Sequence, residues 1–206
     1  MILVLSLTIL FALAAVLMIN LPQLVTSSDV VLKNATALAA KAAANQYEIG
    51  ENDNDDDSDE GDKTNKDNGF PVINYQKARS SFESVLAGNL ELKQNLEPDR
   101  YSSFAGAPHY KLIIYNGQHS PSGITYERYN GQTRATEIQA QGFPQTFTVA
   151  QEIQVELKSP GVIAIVEAPP LSIDGSDKTC GRWAAASLAR QKNENWIVLL
   201  QGSREI

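Results

Sequence analysis

The stretch VVLKNATALAAKAAANQY, from Val30 to Tyr47, contains seven alanines and neither glycine nor proline. Alanine has the highest helix propensity of all residues, so this composition predicts a helix. Mostly small side chains recur at helical spacing on one side of it. Because small residues let two helices approach closely, we predict a contact with another helix through Leu32, Ala35, Ala39, Ala42 and Ala43. The alternative is an alanine-rich helix that is stable by propensity and needs no partner.

An uncharged apolar run, Ile2 to Leu21, precedes this stretch. Twenty helical residues at about 1.5 Å each span a hydrocarbon core of about 30 Å. We therefore predict a transmembrane helix over residues 1–22, embedded in membrane lipid, and an alanine-rich helical extension over residues 23–49. A cleaved secretory signal is the alternative, but it would have a basic start and a shorter apolar core.

The flanking charges do not determine the orientation of this helix. No Lys or Arg precedes the run, whereas Lys33 and Lys41 follow it, which weakly favours a cytoplasmic C-terminal side. Long domains can be exported regardless of flanking charge. We expect a single-pass cell membrane protein whose C-terminal domain is extracytoplasmic.

The acidity of the chain is concentrated between Gly50 and Asn68, where nine carboxylates face two lysines. The remaining residues carry 15 acids and 15 bases, so the formal net charge of −7 belongs to this segment. It has no apolar side chain to bury, and its like charges repel one another. We predict a flexible acidic linker over residues 50–69. Its alternating aspartates lack the glycine and glutamate of an EF-hand loop, which leaves only weak calcium binding open.

The pattern of residues 70–206 predicts an α+β domain with a mainly antiparallel sheet. This is the domain that we expect to be extracytoplasmic. A helix is expected over Tyr75–Leu92 and a second, short one over Arg182–Arg190 (RWAAASLAR). Asn116-Gly117, Asn130-Gly131 and Pro160-Gly161 are typical of turns. Residues that are β-branched or aromatic, or that alternate with polar ones, predict strands at Leu112–Tyr115, Ile124–Tyr129, Thr146–Val149, Ile153–Leu157, Val162–Glu167 and Trp196–Leu200.

Together, the apolar N-terminal helix, VLKNATALAAKAAANQ (Val31–Gln46) and the small β-rich domain resemble the TadE/TadG-like proteins of tight-adherence (Tad/Flp) pilus systems. The alanine-rich stretch is similar to that family's LQNAADAAALAAA signature after the membrane. FESVLAGNLEL (Phe82–Leu92) is similar to stretches of Gram-positive members. Leu5 stands where pilins cut by a prepilin peptidase carry glutamate, and there is no basic leader. This departure fits an uncleaved, TadG-like accessory protein, or a natural start upstream of Met1.

The resemblance implies a membrane-anchored, pseudopilin-like structural component of a Tad or type IV-like pilus or secretion apparatus. Its α+β head would lie outside the membrane. Its N-terminal helix would contact other pilin-like or secretion-apparatus subunits. The alternative is an envelope-anchored binding or sensor module on a flexible stalk, outside any filament, which would need a ligand pocket in the head.

Composition argues against several other classes of function. The acidic pI of about 4.9 disfavours nucleic-acid binding. One cysteine, Cys180, and two histidines, His109 and His119, give little basis for a disulfide framework or a metal site. Serines and acids near the histidines allow a catalytic grouping to be imagined, but no G-x-S-x-G motif is present. We predict no enzyme activity, catalytic residue, cofactor, metal or small-molecule substrate, and leave the role of Cys180 open.

Overall fold

The computed structural model describes residues 27–49, 70–119, 121–139, 142–150, 153–171, 179–191 and 195–205. The predicted transmembrane segment 1–22 and the acidic segment 50–69 lie outside these ranges. Residues 27–44 form helix α1 and Tyr75–Asn89 forms helix α2. The strands are β1 (Tyr47–Ile49), β2 (Pro71–Ile73), β3 (His109–Tyr115), β4 (Gly123–Tyr129), β5 (Gln132–Ile138), β6 (Gln145–Thr148), β7 (Gln154–Leu157), β8 (Gly161–Ala168), β9 (Cys180–Arg190) and β10 (Trp196–Glu205).

A six-stranded sheet with the order β10-β9-β8-β3-β4-β5 forms the centre of the domain. All of its neighbouring strands are antiparallel. Two small antiparallel pairs, β1-β2 and β6-β7, accompany it. The predicted α+β class and the mainly antiparallel sheet are confirmed. Among the described residues, neither helix is sufficiently long and hydrophobic to cross a lipid bilayer.

The central sheet is covered on both faces, because successive side chains of a strand point to opposite sides. On one face, α1 and α2 pack on Leu112, Ala164 and Ala184. On the other, the β6-β7 hairpin covers Ile113, Ile163 and Ala185. The domain therefore has a helical layer, a sheet and a hairpin layer, with two hydrophobic cores.

The alanine-rich helix α1 belongs to the first of these cores. Leu32, Ala35, Ala39 and Ala43 are completely buried among residues of α2 and the central sheet, and Ala42 is partly buried. The small side chains thus allow close approach to the chain's own fold. The predicted contact with a helix of another subunit is corrected accordingly, because four of its five residues have no exposed surface left. Residues 27–49 are part of the folded domain and not an extension before it.

Strands β1 and β2 bring the two ends of the acidic segment together. Ile49 lies opposite Pro71, and Tyr47 lies opposite Ile73. The chain on either side of residues 50–69 therefore enters the same core. The acidic segment therefore connects two strands of one hairpin, whereas the sequence predicted a linker between an alanine-rich helical extension and a separate α+β domain.

Most predicted elements are present, with one change of type. The expected helix at Arg182–Arg190 is strand β9, which pairs with β8 and β10. Strands β1, β2 and β5 were not predicted. At Asn130-Gly131 both residues have positive φ, 49° and 76°, and they form the two-residue turn between β4 and β5.

Candidate functional site

Contacts near its two ends place helix α1 alongside β9, with the start of the helix near the start of the strand. At its start, Asp29 forms an ion pair with the buried Arg182 near the beginning of β9. Just beyond its end, the hydroxyl of Tyr47 donates to the carbonyl of Trp196, and Trp196 lies opposite Arg190 at the end of β9. The eight steps from Arg182 to Arg190 correspond to roughly 25 Å. We call the end of the domain at Asp29, near the start of α1, its proximal end. The end at Tyr47 and Trp196 is its distal end.

One side of α1 remains accessible. Val30 and Leu38 are 50% and 48% exposed. Asn34 and Lys41 are also exposed and lie on the same side at helical spacing. We call Val30, Asn34, Leu38 and Lys41 the outer face of α1. A second molecule can contact this face.

A hydrogen-bonded group attaches α2 to the sheet. The hydroxyl of Tyr110 donates a short hydrogen bond to the Glu83 carboxylate, which also accepts from Arg79 Nε at 3.2 Å. The Arg79 guanidinium lies 5.3 Å from the ring centre of Tyr126. Burial raises the pKa of Tyr110, and the hydrogen bond to Glu83 raises it further. These contacts join α2 to strands β3 and β4 of the central sheet.

Among the described residues, the serines considered for catalysis are not hydrogen-bonded to a histidine ring, although His109 and Glu127 line one groove. The ring of His109 packs against the ring of Tyr129, with ring centres 4.3 Å apart. His119 lies in the β3–β4 loop, where its carbonyl accepts from the Ser122 hydroxyl. The Ser102 hydroxyl donates to the carbonyl of Leu90. Within the described ranges, no group of three or more His, Cys, Asp or Glu residues could hold a metal ion.

A shallow groove lies on the hairpin side of the sheet. Its volume is about 320 Å³, and its walls include His109, Tyr129 and Ile165. Across it, Lys111 and Glu127 form an ion pair of 2.9 Å between β3 and β4. Arg128 and Glu167 also line the groove, so it has charged groups besides this pair.

A larger cavity of about 410 Å³ includes Phe70, whose ring centre lies 6.2 Å from that of Trp196 at the distal end of the domain. It is lined by Phe70, Gln118, His119 and Phe143. The ring centre of Phe70 is 6.0 Å from that of His119 and 6.3 Å from that of Phe143. Its volume falls within the range of about 300–1,000 Å³ that is typical of small-molecule sites.

Two walls of this cavity are joined by Asn116. This side chain is completely buried; its Oδ1 accepts from the Ile73 amide at 2.9 Å and its Nδ2 donates to the Ile73 carbonyl at 2.9 Å. Ile73 follows Phe70 by three residues, and Gln118 follows Asn116 by two. The double hydrogen bond therefore fixes the segment that carries Phe70 relative to the segment that carries Gln118 and His119.

Tyr115 and Gly117 fix the third wall of the cavity, which is the segment that carries Phe143. The Tyr115 hydroxyl donates to the carbonyl of Gly142 at 2.7 Å, next to Phe143. Gly117 has a φ of +72°, and a Cβ there would lie 2.1 Å from the Phe143 ring. Only glycine permits both this backbone conformation and this ring position. The Asn116-Gly117 pair, which the sequence marks as a turn, is thus also a support of the cavity.

The cavity was not predicted from the sequence. Phe70, Gln118, His119 and Phe143 come from three separate segments, and no local pattern relates them. The Asn-Gly pair after β3 was the one available signal, and it marked a turn without indicating what the turn supports. The comparisons add no relative: no family model matches the chain, and no curated protein or solved structure is significantly similar to it.

Proposed function

We propose that this protein is a membrane-anchored, pseudopilin-like structural component of a Tad or type IV-like pilus or secretion apparatus. The apolar run at residues 2–21 is its anchor, and the α+β domain lies outside the cytoplasm. The proposal combines the sequence resemblance with the placement of α1.

One observation carries the proposal: the alanine-rich helix that follows the apolar run is built into the core. Only residues 22–26 separate Leu21 from the first described residue of α1. Five residues reach at most about 18 Å. The domain is therefore held close to the anchor, as a subunit needs to be if helix packing in the membrane is to position its head.

The same placement disfavours a head on a long stalk. The acidic segment that could serve as a stalk connects β1 to β2 and does not lie between the anchor and the domain. The distal cavity does favour a binding role for the head, which is the second candidate function. Such a role is compatible with a structural subunit.

The outer face of α1 replaces the buried alanines as the proposed subunit contact. Val30 and Leu38 are exposed apolar side chains on a helix that directly follows the apolar run. Burying such side chains favours association by about 25 cal/mol for each Å² of apolar surface. Contacts between the apolar runs of neighbouring subunits in the membrane would then continue along the outer face of α1.

Two experiments test the proposal. Full-length protein should remain with membranes after carbonate extraction, and release of a shorter soluble form would overturn the anchor. For the contact, single cysteines replace Asn34, Leu38 or Lys41 in a Cys180→Ser background, and cells are treated with a thiol crosslinker.

The matched control is a cysteine at Glu156, which is exposed on the hairpin layer. We expect crosslinks to another copy or to another envelope protein from the outer face and none from the control. Absence of crosslinks at all three outer-face positions, or equal crosslinking from Glu156, would refute the proposed contact.

A further inference from the structure

The central sheet ends in two strands, β10 and β5, and no described strand pairs with the outer edge of either. Strand β5 is polar, as exposed edges usually are. In β10, by contrast, the stretch Trp196–Gly202 contains no charged residue. Its Leu199 and Leu200 are 46% and 47% exposed. An uncharged, apolar edge of this kind is a surface to which another strand can be added by backbone hydrogen bonds.

The register of β10 shows which of its backbone groups point outward. The Gln191 amide donates to the Asn195 carbonyl at 2.8 Å, in the same register that pairs β9 with β10. Hydrogen-bonded and non-hydrogen-bonded pairs alternate along an antiparallel ladder. The N–H and C=O groups that point away from β9 are therefore those of Trp196, Val198 and Leu200. The bulge that follows ends the regular part of this edge.

The outward groups of β5 follow in the same way. The Asn116 amide donates to the Ser122 carbonyl at 2.7 Å, between the ends of β3 and β4. Gly123, the next residue, therefore turns its N–H and C=O groups toward Ile138 of β5. By the same alternation, the groups of β5 that point away from β4 are those of Thr133, Ala135 and Glu137. Each edge thus presents three residues, at every second position.

The even number of strands makes the two edges complementary. Because all neighbouring strands are antiparallel, the first and last of six strands run in opposite directions. A second copy in the same orientation therefore brings its β5 antiparallel to β10 of the first copy. The outward residues also share a face of the sheet: Val198 packs on the core beneath the helices, and Ala135 lies beside Tyr126, which belongs to that core. Pairing of the edges would thus keep the helical layers of both copies on one side.

We propose that β10 of one copy pairs with β5 of the next, so that the central sheets of successive copies join edge to edge. The register that overlaps both edges fully places Val198 opposite Ala135 of the next copy. In this register Leu199 lies opposite Arg134, whose aliphatic stem can cover the leucine while its charge remains in water. Such a head-to-tail contact leaves one free edge at each end, so further copies can add.

The common membrane selects β5 over a second β10 as the partner. Two β10 strands could pair antiparallel only through a two-fold rotation that reverses one copy. Their N-terminal segments would then leave from opposite ends of the combined sheet. Pairing of β10 with β5 keeps the N-terminal segments of all copies at one end. In this respect the inference rests on the proposed function.

Disulfide crosslinking tests the contact, because here it can form only between copies. Strands β10 and β5 are separated by five strand spacings, about 24 Å, which a disulfide within one chain cannot span. One full-length chain carries Leu199→Cys, and a second chain with a size tag carries Arg134→Cys, both in a Cys180→Ser background. Cells that produce both chains are treated with a mild oxidant. We expect a disulfide between the two different chains, because these positions form a non-hydrogen-bonded pair with Cα atoms about 4.5 Å apart.

Two matched comparisons accompany this experiment. Gln132→Cys is exposed on the same face of β5, two residues from the expected partner, and should crosslink less than Arg134→Cys. Ala135→Pro removes an outward N–H that β4 does not use, so β5 should stay paired with β4. It should lower the crosslinked fraction about tenfold, because the facing carbonyl loses its donor. Ala135→Val keeps the N–H and should leave the crosslinked fraction unchanged.

The inference is overturned if Leu199→Cys chains crosslink mainly to each other, if Gln132→Cys crosslinks as well as Arg134→Cys, or if Ala135→Pro has no effect. Absence of the crosslink in protein that stays with membranes after carbonate extraction overturns the sheet contact alone. The same crosslink in protein that carbonate releases overturns the anchor and leaves the sheet contact standing.

Discussion

Replacing residues 51–69 by Asn-Gly should stabilise the domain. In the structure, Ile49 lies opposite Pro71, so Gly50 and Phe70 are the next residues of the same hairpin. The change would convert a connection of nineteen residues into a two-residue turn. The chain already uses such a turn at Asn130-Gly131, between β4 and β5.

The expected gain follows from the entropy of closing the connection. For a flexible segment, this entropy grows as 1.5 RT times the logarithm of the number of residues. Shortening from nineteen residues to two therefore gains roughly 2 kcal/mol in the free energy of unfolding. For a domain of this size, that free energy corresponds to a rise of about 4–8 °C in Tm.

Urea and thermal denaturation of the two proteins measure the effect. A third variant, with nineteen Gly and Ser residues in place of 51–69, separates the effect of length from the effect of the acidic charges. If the Asn-Gly variant is no more stable than the Gly/Ser variant, or unfolds at a lower temperature than the parent protein, then β1 and β2 do not form a hairpin and the reasoning fails.

Three further predictions concern the same core. Ala39→Leu should lower the free energy of unfolding by about 1–3 kcal/mol in urea, because the added atoms have no space beside the sheet; exposed Lys33→Leu is the control, and equal stabilities would contradict the burial of α1. Proteolysis should cut within residues 50–69, and the two fragments should elute together in gel filtration because both contribute to one core; separate elution under native conditions would show otherwise. Burial, the hydrogen bond to Glu83 and its charge raise the pKa of Tyr110, so the folded protein retains a proton that the unfolded chain loses near pH 10. Stability should then decrease as the pH rises above about 10, and Tyr110→Phe should reduce that decrease; parallel pH profiles would count against the raised pKa.

Elements with a strong local pattern could be predicted from the sequence. Helix α2 and the strands β3, β4, β6, β7, β8 and β10 were predicted, although β3 begins three residues earlier and β10 ends five residues later than expected. Strand β9 was not, because RWAAASLAR has good helix formers and shows no alternation. Its residues from Arg182 to Leu188 are buried on both faces between two layers. In such a strand, tertiary packing determines the structure against local propensity.

Strand β5 was missed for the opposite reason. QTRATEI is polar and largely exposed at the edge of the sheet, so it has no apolar face. The two-residue Asn130-Gly131 turn could have indicated it, since a tight turn after one strand implies a second strand.

The packing partner of the alanines in α1 could not be predicted from the sequence. Their spacing indicated a close contact, and the contact exists. Small side chains do not specify whether the approaching element is a helix of another chain or the chain's own sheet. That choice depends on pairings such as Asp29 with Arg182, which join residues far apart in sequence.

The course of α1 alongside β9 has a mechanical consequence. A force applied at the start of α1 acts along the helix axis, in line with the strand beneath it. This force would act in shear on all the buried contacts of α1 at once, which are made by Leu32, Ala35, Ala39 and Ala43. The Asp29–Arg182 ion pair lies ahead of these contacts, at the start of the helix. A helix attached across the strands would instead peel away one turn at a time. A force in this direction would therefore load these contacts together.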